Sequence, residues 1–348
     1  MPKAIREGVK WFFSTLYLTR LQNRRTRTEY NNLLKVHMEA VLTNWRHVRR
    51  WCLEQGHVEC DGVYAKGSKA FGYRFGANLR ERTFRLVPVT DRGIQRRVKA
   101  RKITKPLYQW LEDNLRRMTA EVPDRLSDDD RQALQLVNDG GMVYNAEDES
   151  GGRFHSNLTN MRSDLRQHLR VDGKRLVQID LKNSQPMSLV VRLDKAGVEC
   201  GRYRQVCEEG NLYELLATKS GLTKEKTMAE ARAEAKAELI QRVFFGRLGA
   251  RSKVGSAFKR EFGAAWNYVQ EVKGRDHAEL ACLLQRTESD LVIRTVCEAL
   301  RREHPGMFVA TIHDSIVCLP DDAEKVICSM RQAFARVNLN PRLEVQPL

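Results

Sequence analysis

The chain has 348 residues, which suggests about two domains and ample sequence for a hydrophobic core. Its formal net charge is +16, and all of the excess lies in residues 1–105, where 24 Lys and Arg face 8 Asp and Glu. Such a segment favours nucleic acid over a membrane, because no apolar run is long enough to span a bilayer. The eight cysteines include no Cys-x-x-Cys pair, which predicts reduced thiols and a cytoplasmic protein.

The first third of the chain predicts a basic, mainly helical domain, which we delimit as residues 1–120. Apolar residues recur at helical spacing from 30 to 56 and the segment closes at Gly56. Short alternating segments follow between Gly and polar turns, at residues 63–64, 72–75 and 83–89. Two helices followed by a basic strand pair suit a winged-helix module.

Aromatic residues and a second helical segment complete this domain. Phe71, Tyr73 and Phe75 alternate along the chain, and they either stack on bases, as in single-strand binding surfaces, or fill a small core. A strongly basic helical segment runs over residues 92–117. A break with proline and aspartates follows, and we treat residues 121–348 as the second domain.

The second domain delivers one carboxylate at the end of a short apolar run. Residues 176–179 predict a buried strand that leads into Asp180. The polar residues 182–185 are typical of a turn and helix cap, and Pro186 suits the first turn of a helix that continues to Leu193. The predicted order is strand, acidic turn, helix.

A similar acidic segment lies further along the chain. The apolar runs 308–312 and 316–319 flank His313 and Asp314, which predicts two strands joined at a His-Asp turn. Two aspartates at strand edges can bind a pair of Mg²⁺ ions that position a triphosphate and activate a 3′ hydroxyl. A lone aspartate after a strand is more often a cap or turn residue, so the hypothesis depends on Asp180 and Asp314 together.

At these residues the sequence resembles the family A polymerases, the superfamily of DNA polymerase I and the single-subunit phage-type RNA polymerases. Asp180 followed by Ser184-Gln185 is similar to the family's motif A, and His313-Asp314-Ser315 to its motif C. Residues 152–160 resemble the family's Gly-Arg-x-x-Ser...Asn-Leu-x-Asn segment. The resemblance implies an α+β fold with a right-hand polymerase palm on an antiparallel sheet, helical fingers and a thumb-like role for the N-terminal domain.

Between the two acidic motifs, residues 227–245 predict one long helix. Arg232 and Lys236 share a face of it because they are four residues apart, and they resemble the Arg-x-x-x-Lys of motif B, which implies a grip on the incoming triphosphate. The alternative is a solvated face on which these cations form salt bridges with Glu234 and Glu238.

Motif B continues towards the end of that helix. Phe244, Phe245 and Gly246 then correspond to the family's aromatic and glycine beside the sugar and base of the nucleotide. The interval from Lys236 to Gly246 is one residue longer than is usual in the family. Either the helix contains a bulge or the assignment of Lys236 slips.

The resemblance also implies contacts with primer and template and a set of metal ligands. The first group comes from the upstream segment, from motif C and from a Gln-x-x-x-x-Asp helix before it: Arg153, Asn157, Asn160, Gln285 and His313. The implied metal-binding residues are Asp180, Asp314 and Leu181.

The implied activity is template-directed nucleotidyl transfer by a small DNA polymerase that uses two Mg²⁺ ions, with Mn²⁺ as a substitute. Its partners would be primer-template DNA, or RNA, and nucleoside triphosphates, with no membrane and no protein partner specified. The length implies no proofreading exonuclease domain, and the small size suggests a phage or mobile element.

Three alternatives stay open. An RNA polymerase or primase of the same fold is supported by Ser315, as in the phage-type RNA polymerases, and by Pro186 and Met187 in place of the glutamate of the DNA enzymes. Residues 152–160 are more similar to the DNA enzymes. A non-catalytic nucleic-acid-binding replication protein and a two-metal nuclease are the others.

Overall fold

The computed structural model describes residues 3–22, 28–65, 69–80, 82, 87–99, 105–140, 146–147, 151–247 and 252–348. Its helices are α1 Lys3–Gln22, α2 Lys35–Val41, α3 Trp45–Glu54, α4 Ala77–Arg80, α5 Arg92–Lys99, α6 Pro106–Arg116, α7 Asp128–Asn138, α8 Asn157–Asn160, α9 Ser163–Arg166, α10 Ser184–Lys195, α11 Gly201–Glu208, α12 Leu212–Lys219, α13 Met228–Glu238, α14 Lys253–Glu261, α15 Gly263–Arg275, α16 Glu279–Ser289, α17 Glu298–Glu303 and α18 Ala323–Ala335. Its strands are β1 Asn31–Asn32, β2 Val58–Cys60, β3 Gly72–Phe75, β4 Met118–Ala120, β5 Ala146–Glu147, β6 Phe154–His155, β7 Leu169–Val171, β8 Val177–Leu181, β9 Val309–Ile312, β10 Ser315–Cys318 and β11 Leu343–Pro347. Wider, π-helical turns continue α13 over Leu239–Phe244 and join α16 to α17 over Asp290–Cys297.

The chain packs into two compact units. The N-terminal unit consists of Met1–Thr104, Ala120–Gly141 and Asn160–Arg166, and the C-terminal unit of Lys105–Thr119, Met142–Thr159 and Gln167–Leu348. The division into domains at residue 120 stays a prediction. No helix of the described residues is both long and apolar enough to cross a bilayer.

The N-terminal unit contains an antiparallel sheet in the order β1–β3–β2. Phe12 of α1 is fully buried and meets Trp45 of α3 and Tyr73 of β3 edge-on, with ring centroids 4.8 and 5.7 Å away. Tyr73 and Phe75 are buried in this core, whereas Phe71 is half-buried against it. The interpretation of Tyr73 and Phe75 as core residues is therefore confirmed.

Several predicted segments of the first domain are wrong in extent. The single helical segment at 30–56 is divided into β1, α2 and α3. Helix α2 ends at Val41, because the backbone of Leu42 after it is extended at φ −104° and ψ 98°. Because Leu42 is also buried, the apolar pattern continues across this break and conceals it. The segment at 92–117 comprises α5 and α6, and residues 100–104 lie outside the described chain. The described part of 83–89 forms no strand.

The C-terminal unit contains an antiparallel sheet in the order β11–β8–β10–β9. Ile179 of β8 lies opposite Ile316 of β10, and β10 turns back along β9 as a hairpin. Helix α18 packs on β8 and β10. The strands predicted next to Asp180 and Asp314 are confirmed, and a helical chain with antiparallel sheets agrees with the α+β class. Helix α10 begins at Ser184, two residues before Pro186.

A buried ion pair joins α1 to α7 in the N-terminal unit. The guanidinium of Arg20, whose side chain is 7% exposed, donates to both carboxylate oxygens of Asp129 at 2.7 and 3.0 Å. Truncation of one partner leaves the other buried and uncompensated, so we expect Asp129→Ala to destabilise this unit by about 3 kcal/mol. Hydrogen exchange of α1 should accelerate by about 100-fold.

The control for this prediction is Asp128→Ala, in the same turn of α7. Its carboxylate is 52% exposed and pairs with Arg131 at the surface, where ion pairs contribute about 1 kcal/mol or less. Equal acceleration in both variants would contradict a special role for Arg20 and Asp129.

Candidate active site

Asp180 occupies the end of β8, where a hydroxyl from the neighbouring strand holds its carboxylate. Ser315 Oγ donates to Asp180 Oδ1 at 2.8 Å, and Gln178 Nε2 donates to Ser315 Oγ at 2.9 Å. The register between β8 and β10 brings these side chains to one face of the sheet. Asp180 is half-buried, so one carboxylate is fixed in orientation and still reachable.

Asp314 lies in the tight turn between β9 and β10, beside the same sheet edge. His313 before it has φ 56°, in the left-handed region, and its side chain is exposed. Burial raises the pKa of Asp314 from 3.8 to about 7, assisted by the negative charges of Glu288 and Asp180 and opposed by a hydrogen bond with Ser184. Three carboxylates are thus close enough to influence one another.

Glu288 is the most buried of the three and has a set of compensating donors. Its Oε1 accepts from Arg153 Nη2 at 2.7 Å and Nε at 3.2 Å, and its Oε2 accepts from Ser184 Oγ at 2.9 Å and from Gln185 Nε2. The carboxylate is therefore anchored between the upstream segment, α10 and α16. The guanidinium of Arg153 is engaged with this glutamate inside the site.

A fourth carboxylate, which the sequence did not suggest, faces Asp180 from the other side. Glu344 of β11 lies directly opposite Asp180 across the sheet and forms an ion pair with Lys182. That lysine, whose Nζ is 3.9 Å from Asp180 Oδ2, lowers the pKa of Glu344 through its hydrogen bond. The only signal for it in the sequence is a charged residue within a short alternating strand.

Arg232 and Lys236 share a face of α13, as the sequence predicts, and both contact the aromatic ring of Tyr213. Their cationic groups lie 5.6 and 5.9 Å from the ring centroid. Arg232 Nε donates to Glu214 at 2.5 Å. Burial raises the pKa of Tyr213, and the charges of Cys207 and Asp314 add to that shift.

The alternative interpretation expected Arg232 and Lys236 to form salt bridges with Glu234 and Glu238 on an exposed helix face. The observed contacts of these glutamates differ from that expectation. Glu234 pairs with Lys226, and Glu238 accepts from Ser252 Oγ, so neither holds Arg232 or Lys236. Arg232 is held instead by the preceding helix α12, through Glu214.

The extra residue between Lys236 and Gly246 is accommodated by a helical bulge. The turns over Leu239–Phe244 are π-helical, which inserts one residue without breaking the helix. Gly246 approaches the preceding turn so closely that a methyl group on it would lie 2.7 Å from the Arg242 carbonyl oxygen. Of the two explanations for the longer interval, the bulge is the one observed.

The aromatic pair before Gly246 divides into one core and one accessible residue. Phe244 has no exposed surface and packs on Phe258, with ring centroids 6.0 Å apart. Phe245 is half-buried, so of the two it is the one with surface left for a ligand.

The residues predicted to contact primer and template belong to three parts of the chain. Gln285 is half-buried in α16, one turn before Glu288, and His313 is exposed beside Asp314. Asn157 begins α8 in the C-terminal unit, whereas Asn160 belongs to the N-terminal unit. Contacts of these residues with nucleic acid stay predictions.

The carboxylates of this site fit Mg²⁺ if substrate phosphates and water supply its remaining ligands. Among the described residues, no three His, Cys, Asp or Glu side chains converge on one metal position. Mg²⁺ commonly needs one or two protein carboxylates and takes its other ligands from substrate phosphates and water, which Asp180 and Asp314 satisfy. The buried side chain of Leu181 offers no donor, so its part in the site is limited to its carbonyl oxygen.

No protein-family model matches the chain, and no curated protein matches its sequence. Among solved structures, the chain is similar to the POL domain of Pol1 from M. smegmatis in complex with DNA primer-template and dNTP, with 15% identity and a TM-score of 0.42. The match covers 62% of this chain and 50% of that one, so the chain spans about half the length of that structure. At this degree of similarity the comparison carries no argument about activity.

The raised pKa of Asp314 predicts a pH-dependent stability of the metal-free protein. Between about pH 4 and 7 the native state keeps a proton that the unfolded chain has released, so this group's contribution to stability falls as the pH rises. We expect Asp314→Asn to match the wild type in melting temperature near pH 4 and to exceed it near pH 8. Melting curves in chelator test this.

The matched control is Asp321→Asn, an exposed aspartate whose pKa is lowered by its hydrogen bond with Lys174. As the pH rises, the melting temperature of Asp321→Asn should not increase relative to that of the wild type. A difference in melting temperature between Asp314→Asn and the wild type that does not change with pH would contradict the raised pKa of Asp314.

Proposed function

We propose that the chain is a template-directed nucleotidyl transferase, a small polymerase of the family A type that extends a 3′ hydroxyl with deoxynucleotides. The observation that supports this most is the proximity of Asp180 and Asp314 at the ends of neighbouring antiparallel strands, where one carboxylate raises the pKa of the other. In this proposal the sheet of the C-terminal unit is the palm, and α13 with its π-helical continuation belongs to the fingers.

The cations of α13 would bind the triphosphate. Arg232 is 34% exposed and Lys236 is exposed, so phosphate oxygens can reach both. A triphosphate would take over the hydrogen bond that Arg232 now gives to Glu214, and the Tyr213 ring would keep both cations in place. Binding the charged substrate in a fixed orientation supplies much of what phosphoryl transfer requires.

Asp180 and Asp314, with the carbonyl of Leu181, would hold the divalent ions. When bound, Mg²⁺ supplies a lowered pKa for the 3′ hydroxyl and offsets the charge of the triphosphate and the departing pyrophosphate. Ser315 fixes the orientation of Asp180 for this purpose, and Glu288, neutralised by Arg153, supports Ser184 and Gln185 next to it.

The base and sugar of the incoming nucleotide would lie against Phe245 and Gly246. The close approach at Gly246 leaves room for no side chain and presents the accessible aromatic ring next to it. Gln285, Asn157 and His313 are proposed to contact primer and template, and the basic N-terminal unit is proposed to bind nucleic acid.

Synthesis of RNA is the second candidate, favoured by one observation. Met187, at the place where the DNA enzymes of the family carry a glutamate, is fully buried and cannot reach a ribose 2′ hydroxyl. The test must therefore offer both deoxyribonucleotides and ribonucleotides. Incorporation of either one would distinguish an enzyme from a non-catalytic binding protein.

The test is extension of a labelled primer on a DNA template with Mg²⁺, with dNTPs and NTPs in separate reactions. We expect extension with dNTPs, and a loss of at least about 100-fold in Asp180→Asn and in Asp314→Asn, because each removes charge stabilisation from the reacting phosphate. The control Asp321→Asn loses only an exposed ion pair with Lys174 and should stay within about twofold.

Product in the NTP reaction alone would reassign the enzyme as an RNA polymerase or primase. Shortened primers that depend on Asp314 would indicate a nuclease. An unchanged rate in Asp314→Asn, or no product in any reaction, would contradict the proposed chemistry.

A further inference from the structure

The order of elements in the N-terminal unit resembles a known nucleic-acid-binding arrangement. The chain runs α1, β1, α2, α3, β2, β3, and the sheet order is β1–β3–β2, which is the order of a winged-helix module. In that arrangement α3 takes the place of the recognition helix, and the described residues 61–65 and 69–71 between β2 and β3, called the wing segment here, take the place of the wing. Fold alone does not establish binding, so the argument rests on the side chains of α3.

Helix α3 has one face in the core and one exposed basic face. Trp45, Val48 and Cys52 are buried on one side. On the opposite side Arg46, His47 and Arg50 are exposed, and their side chains form no hydrogen bond or ion pair with any residue of the described chain. Their charge is therefore available to a ligand, with Glu54 as the acidic residue at the end of the helix.

Other basic residues of this unit are already satisfied internally. Arg74 and Arg80 both pair with Glu59, and Arg49 donates to the hydroxyl of Tyr73 at 2.7 Å. These contacts hold β2, β3 and α3 together. Arg46 and Arg50 keep their charge on the outer face of α3, because the cations next to them on β3, α4 and the inner side of α3 form contacts within the fold.

An open cavity of about 900 Å³ lies beside α3, towards the wing segment. Its lining includes Lys35, Arg46 and Lys69 together with Tyr64, which is 60% exposed. Basic side chains at the flank of a recognition helix suit the phosphate backbone that borders a groove.

We propose that this unit binds double-stranded DNA with α3 in the major groove, and that Arg46 and Arg50 give it a preference for particular base pairs. The ten residues of α3 form a helix about 15 Å long, and the major groove of B-form DNA is about 12 Å wide and admits an α-helix. The major groove of duplex RNA is too narrow for side chains to read.

Single-stranded nucleic acid fits these observations less well. A single-strand surface presents several aromatic rings on which successive bases stack, whereas Tyr64 is the one exposed ring among the described residues that line this cavity, and Tyr73 and Phe75 are buried in the core. Arg46 and Arg50 are one helical turn apart on the exposed face, the spacing at which two arginines can meet neighbouring base pairs, each through the O6 and N7 of a guanine. The unit would thereby direct the chain to chosen duplex sites, independently of the proposed catalysis.

The experiment selects binding sequences from a random duplex pool with the full chain, without nucleotides or Mg²⁺. Fluorescence anisotropy then compares the selected duplex, a scrambled duplex and each single strand at one salt concentration. We expect the selected duplex to bind at least about 100-fold more tightly than the scrambled one, and Arg46→Ala/Arg50→Ala to remove most of that preference.

The matched control is Arg92→Ala/Arg96→Ala, which removes two exposed charges from α5 of the same unit. It should weaken all duplexes by a similar, smaller factor and keep the preference. Tighter binding of single strands, failure of the selection to enrich any sequence, or equal loss of preference in the two variants would overturn the proposal. Because no reaction is involved, none of these results depends on whether the chain polymerises nucleotides.

Discussion

The crowding of carboxylates at one edge of the C-terminal sheet is the constraint on which the proposed site depends. Burial raises the pKa of Asp314 to about 7, and the negative charges of Glu288 and Asp180 add to that shift. The protein offsets this repulsion unequally. Glu288 is fully compensated by Arg153 and its hydroxyl and amide donors, whereas the two aspartates keep capacity for a further cation. Among the described residues, neither aspartate has a guanidinium partner, whereas the glutamate beside them has one, which is an arrangement expected of a cation site.

The strands next to the aspartates could be predicted because their signals are local. Apolar runs of four or five residues that end at an acidic residue define β8 and the β9–β10 hairpin without knowledge of the rest of the chain. The contacts of Glu288 could not be predicted in this way, because Arg153 and Ser184 lie 135 and 104 residues away in sequence. Glu344 was missed for the same reason, since only the pairing of β11 with β8 brings it opposite Asp180.

Helical segments show the limits of periodicity more clearly. An extra residue in motif B led to two explanations, and the π-helical turns over Leu239–Phe244 accommodate it without loss of the helix. The break at Leu42 gave no such signal, because its side chain stays on the apolar face after the helix has ended. The periodicity of apolar residues shows which side chains are buried. It therefore cannot detect a break in the backbone that leaves the same side chains buried.

Binding of manganese would test the central claim, that Asp180 and Asp314 together hold divalent ions, most directly. Mn²⁺ bound to the full chain can be counted by electron paramagnetic resonance in the presence of a dideoxy-terminated primer-template and a dNTP. The account predicts about two ions per chain for the wild type and for Asp321→Asn, and affinity at least about tenfold weaker in Asp314→Asn. Equal binding by the wild type and Asp314→Asn, or no bound ion in either, would contradict it.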